Sequence, residues 1–581
     1  MPKNTLNSNI KTKKFPFNNT TPKLITEDGF YVDWPVVYVL NNDKNMYVGE
    51  TYHSAERVRQ HLKSDDKKPM NTCRIFASDI FTKSATLDIE SSLIELCSSD
   101  SSAKEKIINK SNGIVRHNYA NKQLFSQESH IFNSIWQILK NENIVSDDIL
   151  QIKNTDIFKY TPYKSLNAEQ CTYRDYIIKT ISDYYTNDEV EHKNIFVNGA
   201  SGTGKSVLAI YLLKLLVSDS KDFEIDYDLE DEALSEYIKD ILLLKEKKKD
   251  LSVGYVVAMT SFRNTLKEVF RETKGLKANM VIAPSEVAKK KYDVLIVDEA
   301  HRLKQPYALG ADIGSFYDTN VKLGFDRKKG TQLDWILKQS NISILFYDQS
   351  QTIKPSDIDY SIFNNLSSKS DHYKLTSQMR CLGANDYINY IHMVLEEKTN
   401  TYIDFSNNYD FKLFNSIDDF CNALLDKEHK YGLSRIVSGY GFRWVNKEAN
   451  TGRKLQKVKP DIVIGNRSLY WNLTPDKWPI SIDGNNIVEE VGCIHTIQGY
   501  DLNYCGVIFG PEIVYRDNHI QIIETNYHDE KGKQGISGET LKSYIINIYY
   551  VLLTRGIKGT YVYVCDNQLR EYLSKFVSLY E

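Results

Sequence analysis

The chain has 581 residues, of which 41% are hydrophobic and 26% are charged, and its formal net charge is −3 at pH 7. A length prior of about 150 residues per domain predicts three or four domains with substantial cores. The small net charge excludes a polycation, so any surface that binds nucleic acid must be local. The eight cysteines form no C-x-x-C pair, which favours reduced thiols over a zinc site.

The N-terminal residues 1–30 are polar and contain no apolar signal region. No later run approaches the roughly 18 apolar residues that a membrane-spanning helix needs. We therefore expect a soluble cytoplasmic protein without a membrane partner, whose residues 1–30 form a flexible arm.

The first ordered segment reads as a hairpin of two strands, at residues 34–40 and 46–49, each carrying one tyrosine. The helix that follows places an arginine and a histidine four residues apart, hence on one face. A second helix carries a glutamate within Leu87–Leu96. These five residues are Tyr38, Tyr47, Arg57, His61 and Glu90.

Their order and spacing resemble the GIY-YIG endonuclease family, with Val36-Val37-Tyr38 as the first triplet and Tyr47-Val48-Gly49 as the second. The resemblance implies that Tyr38, Tyr47 and His61 surround the attacking water and the scissile phosphate, with a tyrosine as general base. It further implies that Arg57 neutralises developing charge and that Glu90 holds one Mg²⁺ or Mn²⁺.

Two points of this match stay open. The first triplet lacks the glycine and the isoleucine of the family, which concerns packing more than chemistry. The family's late asparagine corresponds to Asn109, Asn112 or Asn118, of which we favour Asn112. We expect a small α+β nuclease domain over residues 31–125 and a helical linker over residues 126–165.

The segment Gly199–Ser206 reads GASGTGKS, a complete G-x-x-x-x-G-K-[ST] phosphate loop between an apolar strand and an apolar helix. Its glycines let successive backbone N–H groups point at the phosphates of a nucleotide. Lys205 then offers a charge to the β and γ oxygens, and the Ser206 hydroxyl is suited to ligate Mg²⁺. The cradle residues are Gly199, Gly202 and Gly204.

A second nucleotide signal is the apolar run Tyr292–Val297, which ends in Asp298 and Glu299. Asp298 can hold Mg²⁺ through water, and Glu299 can orient the water that attacks the γ-phosphate. The sequence therefore predicts an ATP and Mg²⁺ site at the carboxyl ends of parallel strands.

Further segments resemble motifs of superfamily 1 helicases. Leu166–Gln170 resembles the motif whose glutamine reads adenine, and Asp348–Gln351 resembles the one whose glutamine senses the γ-phosphate. Leu375–Arg380 and Tyr549–Gly556 resemble motifs with arginine fingers, and His495–Asp501 resembles the motif that couples the nucleotide to the bound strand. The resemblance implies nucleotide-site roles for Gln170, Gln351, Arg380, Gln498 and Arg555.

The order of these motifs over residues 166 to about 575 most resembles the Schlafen group 3-like helicase family. That resemblance implies an α/β fold with two RecA-like lobes, each a doubly wound parallel sheet, over residues 166–365 and 366–581. The implied function is an ATP-dependent helicase or translocase fused to a metal-dependent endonuclease. Its expected partner is nucleic acid, with DNA favoured over RNA. The fusion suggests defence against phage or other foreign nucleic acid, and accessory proteins could join it.

An alternative function fits the same motifs. ATP hydrolysis could act as a switch that licenses the N-terminal domain on bound nucleic acid without unwinding it. The sequence leaves open whether the substrate is DNA or RNA, the polarity of movement, any sequence or modification preference and the oligomeric state.

Overall fold

The structure is a computed structural model that describes residues 10–109, 119–220, 236–348, 351–445, 459–473, 478–481, 484–497 and 499–581. It divides into two compact units. The first comprises Met1–Glu189, Ile210–Asp250 and Val269–Leu276. The second comprises Val190–Ala209, Leu251–Glu268 and Lys277–Glu581.

The first unit opens with antiparallel strands and short helices. In chain order they are β1 (Lys11–Pro16), α1 (Thr21–Asp28), β2 (Val36–Asn41), β3 (Met46–Thr51), α2 (Ser54–His61), β4 (Thr72–Ala77) and α3 (Lys83–Cys97). Over the described residues the strands form one four-stranded sheet in the order β1-β4-β2-β3. The predicted hairpin is β2–β3, in which Tyr38 lies opposite Gly49 and Leu40 opposite Tyr47.

The structure differs from the expected flexible arm over residues 11–28, which form β1 and α1. Strand β1 pairs antiparallel with β4, and the side chains of Phe15 and Ile25 are buried. In β1 only the side chain of Phe15 is buried. The strand is therefore held mainly by backbone pairing with β4, which the polar sequence of β1 does not predict.

The chain continues through helices of the first unit. They are α4 (His130–Asn141), α5 (Ile149–Lys153), α6 (Asp156–Tyr160) and α7 (Ala168–Thr186). The buried residues of α4 recur at helical spacing and include Ile131, Ile135 and Leu139. They join the core of this unit together with Trp136, so the segment predicted as a linker is packed.

The next elements lead to the first parallel sheet. They are β5 (Lys193–Gly199), α8 (Lys205–Val217), α9 (Glu236–Lys247), β6 (Val253–Val257), α10 (Thr260–Glu272), β7 (Val281–Ile282), β8 (Tyr292–Asp298), α11 (Ile313–Lys322), α12 (Gln332–Gln339), β9 (Ser340–Tyr347), α13 (Tyr360–Ser367) and β10 (Asp371–Leu375). The strands form a parallel sheet in the order β10-β5-β9-β8-β6-β7. Strand β10 lies beyond the predicted lobe boundary at residue 365, yet it pairs with β5.

A second, largely parallel sheet follows. Its region contains α14 (Ala384–Leu395), β11 (Asp410–Phe414), α15 (Ile417–Tyr431), β12 (Ser434–Ser438), β13 (Ile462–Ile464), β14 (Arg467–Trp471), α16 (Trp478–Ser481), β15 (Glu490–Gly492), α17 (Ile494–Ile497), β16 (Leu502–Phe509), β17 (Ile513–Arg516), β18 (His519–Ile522), α18 (Gly538–Leu553), β19 (Gly556–Val564), α19 (Asn567–Leu573) and β20 (Ser578–Leu579). The sheet order is β13-β14-β15-β12-β16-β19-β11-β20, and β17 and β18 form a separate hairpin.

These two sheets confirm the predicted α/β class with parallel strands. All eight residues of β16 are buried, as expected for a strand covered on both faces. Loops at the carboxyl ends of such strands are where ligands bind. Within the described ranges, no helix is both long and apolar enough to cross a membrane.

Candidate nucleotide and nuclease sites

The phosphate loop joins β5 to α8, which begins at Lys205. Gly202 and Gly204 have φ angles of 84° and 78°, a region that strongly favours glycine. Gly199 is required for space, because a Cβ there would lie 2.5 Å from Thr203 Oγ1. The geometry of the loop therefore explains why each of the three predicted positions is glycine.

Lys205 already has oxygen partners within the loop. Its Nζ donates to the carbonyls of Gly199 (2.7 Å) and Ala200 (3.0 Å) and lies 3.6 Å from Asp348 Oδ2. Asp348 also accepts a 2.6 Å hydrogen bond from Gln351 Nε2. The lysine and the predicted γ-phosphate glutamine therefore share one carboxylate.

The carboxylates at the end of β8 are buried beside this loop. Asp298 accepts hydrogen bonds from Ser206 and from Tyr255, the latter at 2.7 Å. Burial and the charge of Glu299 raise the pKa of Asp298 to about 6. Glu299 has a φ angle of 52°, an uncommon conformation for a residue with a side chain. Its Oε2 lies 3.1 Å from His301 Nε2.

Both predicted arginine fingers reach this region. Arg380 Nη1 donates to Ser201 Oγ at 2.6 Å, and Arg555 Nη2 donates to Gln351 Oε1 at 3.1 Å. Arg555 is 1% exposed, and a guanidinium stays charged when it is buried. The site therefore combines loops of the first parallel sheet with an arginine from the second.

The remaining predicted nucleotide residues are placed differently. Gln170 is fully buried at the start of α7, where its Oε1 accepts the Asn167 N–H at 3.0 Å in a capping box. Its role in reading adenine stays a prediction. Gln498 lies outside the described residues.

In the first unit, Tyr38, Tyr47 and His61 come together. Tyr38 Oη and His61 Nε2 are 2.7 Å apart, and the Tyr47 and His61 rings meet edge to face with centroids 5.2 Å apart. Arg57 Nε points at Tyr38 Oη from 3.4 Å. Burial, followed by the charges of Lys67 and Arg57, lowers the pKa of His61 to about 2. Burial above all raises the pKa of Tyr38 well above its usual value.

The position of Tyr38 in this cluster explains why residue 49 is glycine. A Cβ on Gly49 would lie 2.3 Å from Tyr38 Oη, so only glycine leaves room for the phenol. Glu90 lies on α3, and its charge is one of the smaller causes that raise the pKa of Tyr38.

The structure bears on the asparagine that the sequence left open. Asn109 Oδ1 accepts the Val48 N–H at 2.9 Å, and Asn109 Nδ2 donates to the Val48 carbonyl at 2.8 Å. This side chain therefore fixes the backbone beside Tyr47. Asn112, which the sequence favoured, and Asn118 both lie outside the described residues.

Sequence reasoning missed several residues of these sites. Lys67 is 3% exposed with its Nζ 4.4 Å above the Tyr47 ring, yet the run Asp65–Lys68 reads as a solvated surface. The contact of Tyr255 with Asp298 had no sequence signal, because two buried strands meet there. Asp348 could have been predicted from the sequence, because it is a carboxylate directly after an apolar strand.

The residues predicted to hold metal ions carry oxygen donors, which suit Mg²⁺ and Mn²⁺. In the part of the chain that the structure describes, no group of three or more His, Cys, Asp or Glu could hold a metal ion. The sites instead offer hydroxyl and carboxylate oxygens, from Ser206 and Asp298 in one and from Glu90 in the other. Mg²⁺ is commonly held by one or two carboxylates together with water and substrate phosphates.

Comparison with known families gives one match over most of the chain. The family described as Schlafen group 3, DNA/RNA helicase domain, matches residues 192–566. The uncharacterized protein YPL245W of Saccharomyces cerevisiae is 27% identical over 450 residues, which cover 70% of this chain and 90% of the yeast protein.

The similarity of this chain to solved structures is weaker. The Arterivirus helicase nonstructural protein 10 is 12% identical with a TM-score of 0.23, over 68% of this chain and 63% of the viral one, less than two thirds of its length. The Pif1 helicase from Bacteroides, in complex with ADP-AlF3 and ssDNA, is 10% identical with a TM-score of 0.23, over 66% and 91% of the two chains. Such low TM-scores support no inference about this chain.

Proposed function

Because the chain belongs to the Schlafen group 3 DNA/RNA helicase domain family, we propose that it is an ATP-driven helicase or translocase on nucleic acid, with DNA as the favoured substrate. One observation carries this proposal: Arg555, which directly precedes a strand of the second parallel sheet, bonds to Gln351 beside the phosphate loop. A site built from two sheets can couple ATP hydrolysis to their relative movement.

The residues divide the work of hydrolysis among them. When ATP binds, Lys205 exchanges its hydrogen bonds to the loop carbonyls for contacts with the β and γ oxygens. Glu299 orients the attacking water. Arg380 and Arg555 offset the charge that develops on the γ-phosphate. Mg²⁺ held by Ser206 and Asp298 would supply further neutralisation of that charge.

The test measures ATP turnover and strand displacement by the purified chain with single-stranded, duplex and forked DNA and RNA. We expect nucleic acid to stimulate turnover, and Lys205→Ala and Glu299→Gln each to lower it by at least about 100-fold. Lys369→Ala is the matched control, because this exposed lysine precedes β10 at the end of the strand opposite the phosphate loop. Turnover that survives Lys205→Ala would refute the proposal.

The alternative, an ATP-operated switch that binds nucleic acid without unwinding it, is decided by the same experiment. Stimulated turnover without strand displacement or movement along the strand would favour the switch. Displacement that requires ATP would favour the motor.

A second activity is supported by the cluster in the first unit. We propose that this unit cleaves phosphodiester bonds as a metal-dependent nuclease of the GIY-YIG type. The observation in its favour is the contact of Tyr38 Oη with His61 Nε2 at 2.7 Å, with Arg57 facing the same phenol.

The contact between Tyr38 and His61 defines the proton path. Tyr38 is held as a phenol and His61 as a neutral imidazole, so the phenol can donate to Nε2 while its oxygen accepts from water. Burial lowers the pKa of His61, and the negative charge of the bound phosphodiester raises it again, which lets the imidazole accept a proton. As water attacks phosphorus, its proton passes to Tyr38 and the phenol proton passes to His61. The leaving oxygen takes the electron pair of the broken P–O bond, and Arg57 offsets the added charge. Mg²⁺ or Mn²⁺ held by Glu90 would act as a Lewis acid for the leaving oxygen.

The cleavage test uses labelled DNA and RNA with Mg²⁺ or Mn²⁺. We expect Tyr38→Phe and Glu90→Ala each to slow cleavage by about 10²–10⁴-fold while ATP turnover is unchanged. Tyr52→Phe, at an exposed tyrosine of the same unit, should cut normally. Cleavage by Glu90→Ala at the parental rate would show that the nuclease assignment is wrong.

Defence against foreign nucleic acid and a cytoplasmic site of action belong to the same proposal. The defence role rests on the combination of a motor with a nuclease and on no single residue. Protection of cells against phage by the parent chain, and its loss in Glu90→Ala and Lys205→Ala, would support the defence role.

A further inference from the structure

The segment Gln378–Arg380 lies directly against the apex of the phosphate loop. Gln378 Nε2 donates to the Ser201 carbonyl at 2.8 Å, and the Met379 N–H donates to the Gly202 carbonyl at 2.8 Å. A Cβ on Gly202 would lie 2.1 Å from Gln378 Oε1. Gln378 Oε1 also accepts the Arg380 N–H at 2.9 Å. Loop and segment are therefore fitted to one another.

Arg380 is held from two sides in this arrangement. Its Nη1 donates to Ser201 Oγ at 2.6 Å, and its Nε forms an ion pair with Asp501. The pair is partly sheltered, with the two side chains 15% and 28% exposed. A guanidinium has five N–H donors, and here the Nε and Nη1 edges are engaged by protein oxygens.

The residues just before Asp501 contact a different element. A Cβ on Gly499 would lie 2.9 Å from the Phe262 ring, and Tyr500 Oη lies 2.6 Å from Thr265 Oγ1. Phe262 and Thr265 belong to α10, which follows strand β6 of the first parallel sheet. The three consecutive residues 499–501 thus join α10 to the arginine at the phosphate loop.

We propose that Asp501 is a latch that restrains Arg380 until nucleic acid binds. While the ion pair is closed, Arg380 is committed to Asp501 and Ser201, and the γ-phosphate must compete for it. Tyr500, Phe262 and Thr265 are buried, so a nucleic-acid strand reaches this connection from the exposed side of α10, where Asn264 lies. A shift of α10 moves residues 499–501 through these buried contacts and separates Asp501 from the guanidinium. Asp501 is therefore a positioning residue that acts through Arg380. This inference rests on the proposed motor function.

The experiment measures kcat and KM for ATP with and without saturating single-stranded DNA or RNA. Asp501→Asn keeps the shape of the side chain and removes its charge. We expect its kcat without nucleic acid to rise at least about fivefold, the lower end of typical coupling between sites. The stimulated kcat should stay near that of the parent chain, so the stimulation ratio falls. Asp418→Asn, which breaks the Asp418–Arg467 pair of the same unit, is the matched control.

A double-mutant cycle separates the latch from a general structural effect. In an Arg380→Ala background, Asp501→Asn should leave kcat unchanged both with and without nucleic acid, because the restrained guanidinium is absent. Thermal unfolding of each variant establishes that it is folded. A fall of the unstimulated kcat in Asp501→Asn would overturn the latch, since Asp501 would then hold Arg380 in its active position. An equal change in Asp418→Asn would overturn it as well.

Failure of the underlying function gives a different result. If the parent chain hydrolyses no ATP under any condition, the motor proposal fails and the latch fails with it. If the parent hydrolyses ATP and is stimulated, but Asp501→Asn keeps its stimulation ratio, the latch alone is wrong.

Discussion

Gly49 shows how a neighbouring side chain dictates one residue type. A Cβ on Gly49 would lie 2.3 Å from the phenol oxygen of Tyr38, far inside van der Waals contact. The obstacle is a buried ring that also contacts His61 and Arg57. Glycine is therefore required at position 49 to leave room for Tyr38, the proposed general base, and not to allow a special backbone angle.

We expect Gly49→Ala to displace Tyr38 and to lose most of the cleavage activity. Overpacking of this kind costs about 1–3 kcal/mol of unfolding free energy, so the loss of activity should exceed the loss of folded protein. Cleavage assays and thermal unfolding measure the two effects. Gly314→Ala is the control, because a Cβ there meets nothing within 4 Å. Normal cleavage by Gly49→Ala would contradict the tight fit.

Among the elements, the loop between β16 and β17 buries a carboxyl group that no proposed activity uses. Glu512 is 0% exposed, and its Oε1 accepts the Tyr549 hydroxyl at 2.6 Å. A Cβ on Gly439, Gly441 or Gly510 would come within 2.7 Å of this carboxyl group. Two glycine-containing loops therefore leave space for one side chain, and burial raises the pKa of Glu512 to about 7.

This shift predicts a pH-dependent stability. In the unfolded chain Glu512 has its ordinary pKa of 4.5, so between pH 4.5 and 7 the folded state binds more protons. Stability is therefore fully present below pH 4.5 and falls as the pH rises towards 7, by up to about 1.4 kcal/mol per pH unit. Glu512→Gln should remove this part of the dependence and unfold at a higher temperature than the parent at pH 8.

Thermal unfolding between pH 5 and 8 measures the effect. Glu539→Gln, at an exposed glutamate in the first turn of α18, should follow the parent curve. Identical curves for Glu512→Gln and the parent would mean that the carboxyl group is not buried as the structure has it.

At the scale of the whole molecule, the two proposed activities reside in separate compact units of one chain. Lys205 and the arginines belong to the second unit, whereas Tyr38, His61 and Glu90 belong to the first. Such a division predicts that the residues of one site can be replaced without unfolding the other site.

We expect cleavage to depend on ATP hydrolysis, because a motor fused to a nuclease can deliver substrate to it. Lys205→Ala, with its own cleavage residues intact, should then cut DNA at about a tenth of the parental rate or less in the presence of ATP and Mg²⁺. Substrate cleavage over time measures this, with Lys369→Ala as the control. Equal cleavage by Lys205→Ala and the parent would mean that the activities are independent.

The sequence by itself determined the features that depend on a few consecutive residues. The phosphate loop, the carboxylates at the end of β8 and the β2–β3 hairpin all follow from local patterns of glycine, charge and apolar periodicity. In each case one strand end or one turn fixes the geometry. The nine residues of the loop region from Asn198 to Ser206 are enough to define a phosphate cradle.

Only the tertiary structure decided which distant residues share a site. The pairing of β1 with β4, the placement of β10 in the first parallel sheet and the buried Lys67 depend on segments that are far apart in the chain. The same holds for Arg380, whose contacts with Ser201 and Asp501 join residues 179 and 121 positions away. The sequence shows neither the burial of Lys67 nor the ion pair of Arg380 with Asp501, because burial and ion pairing arise only when separate elements pack together.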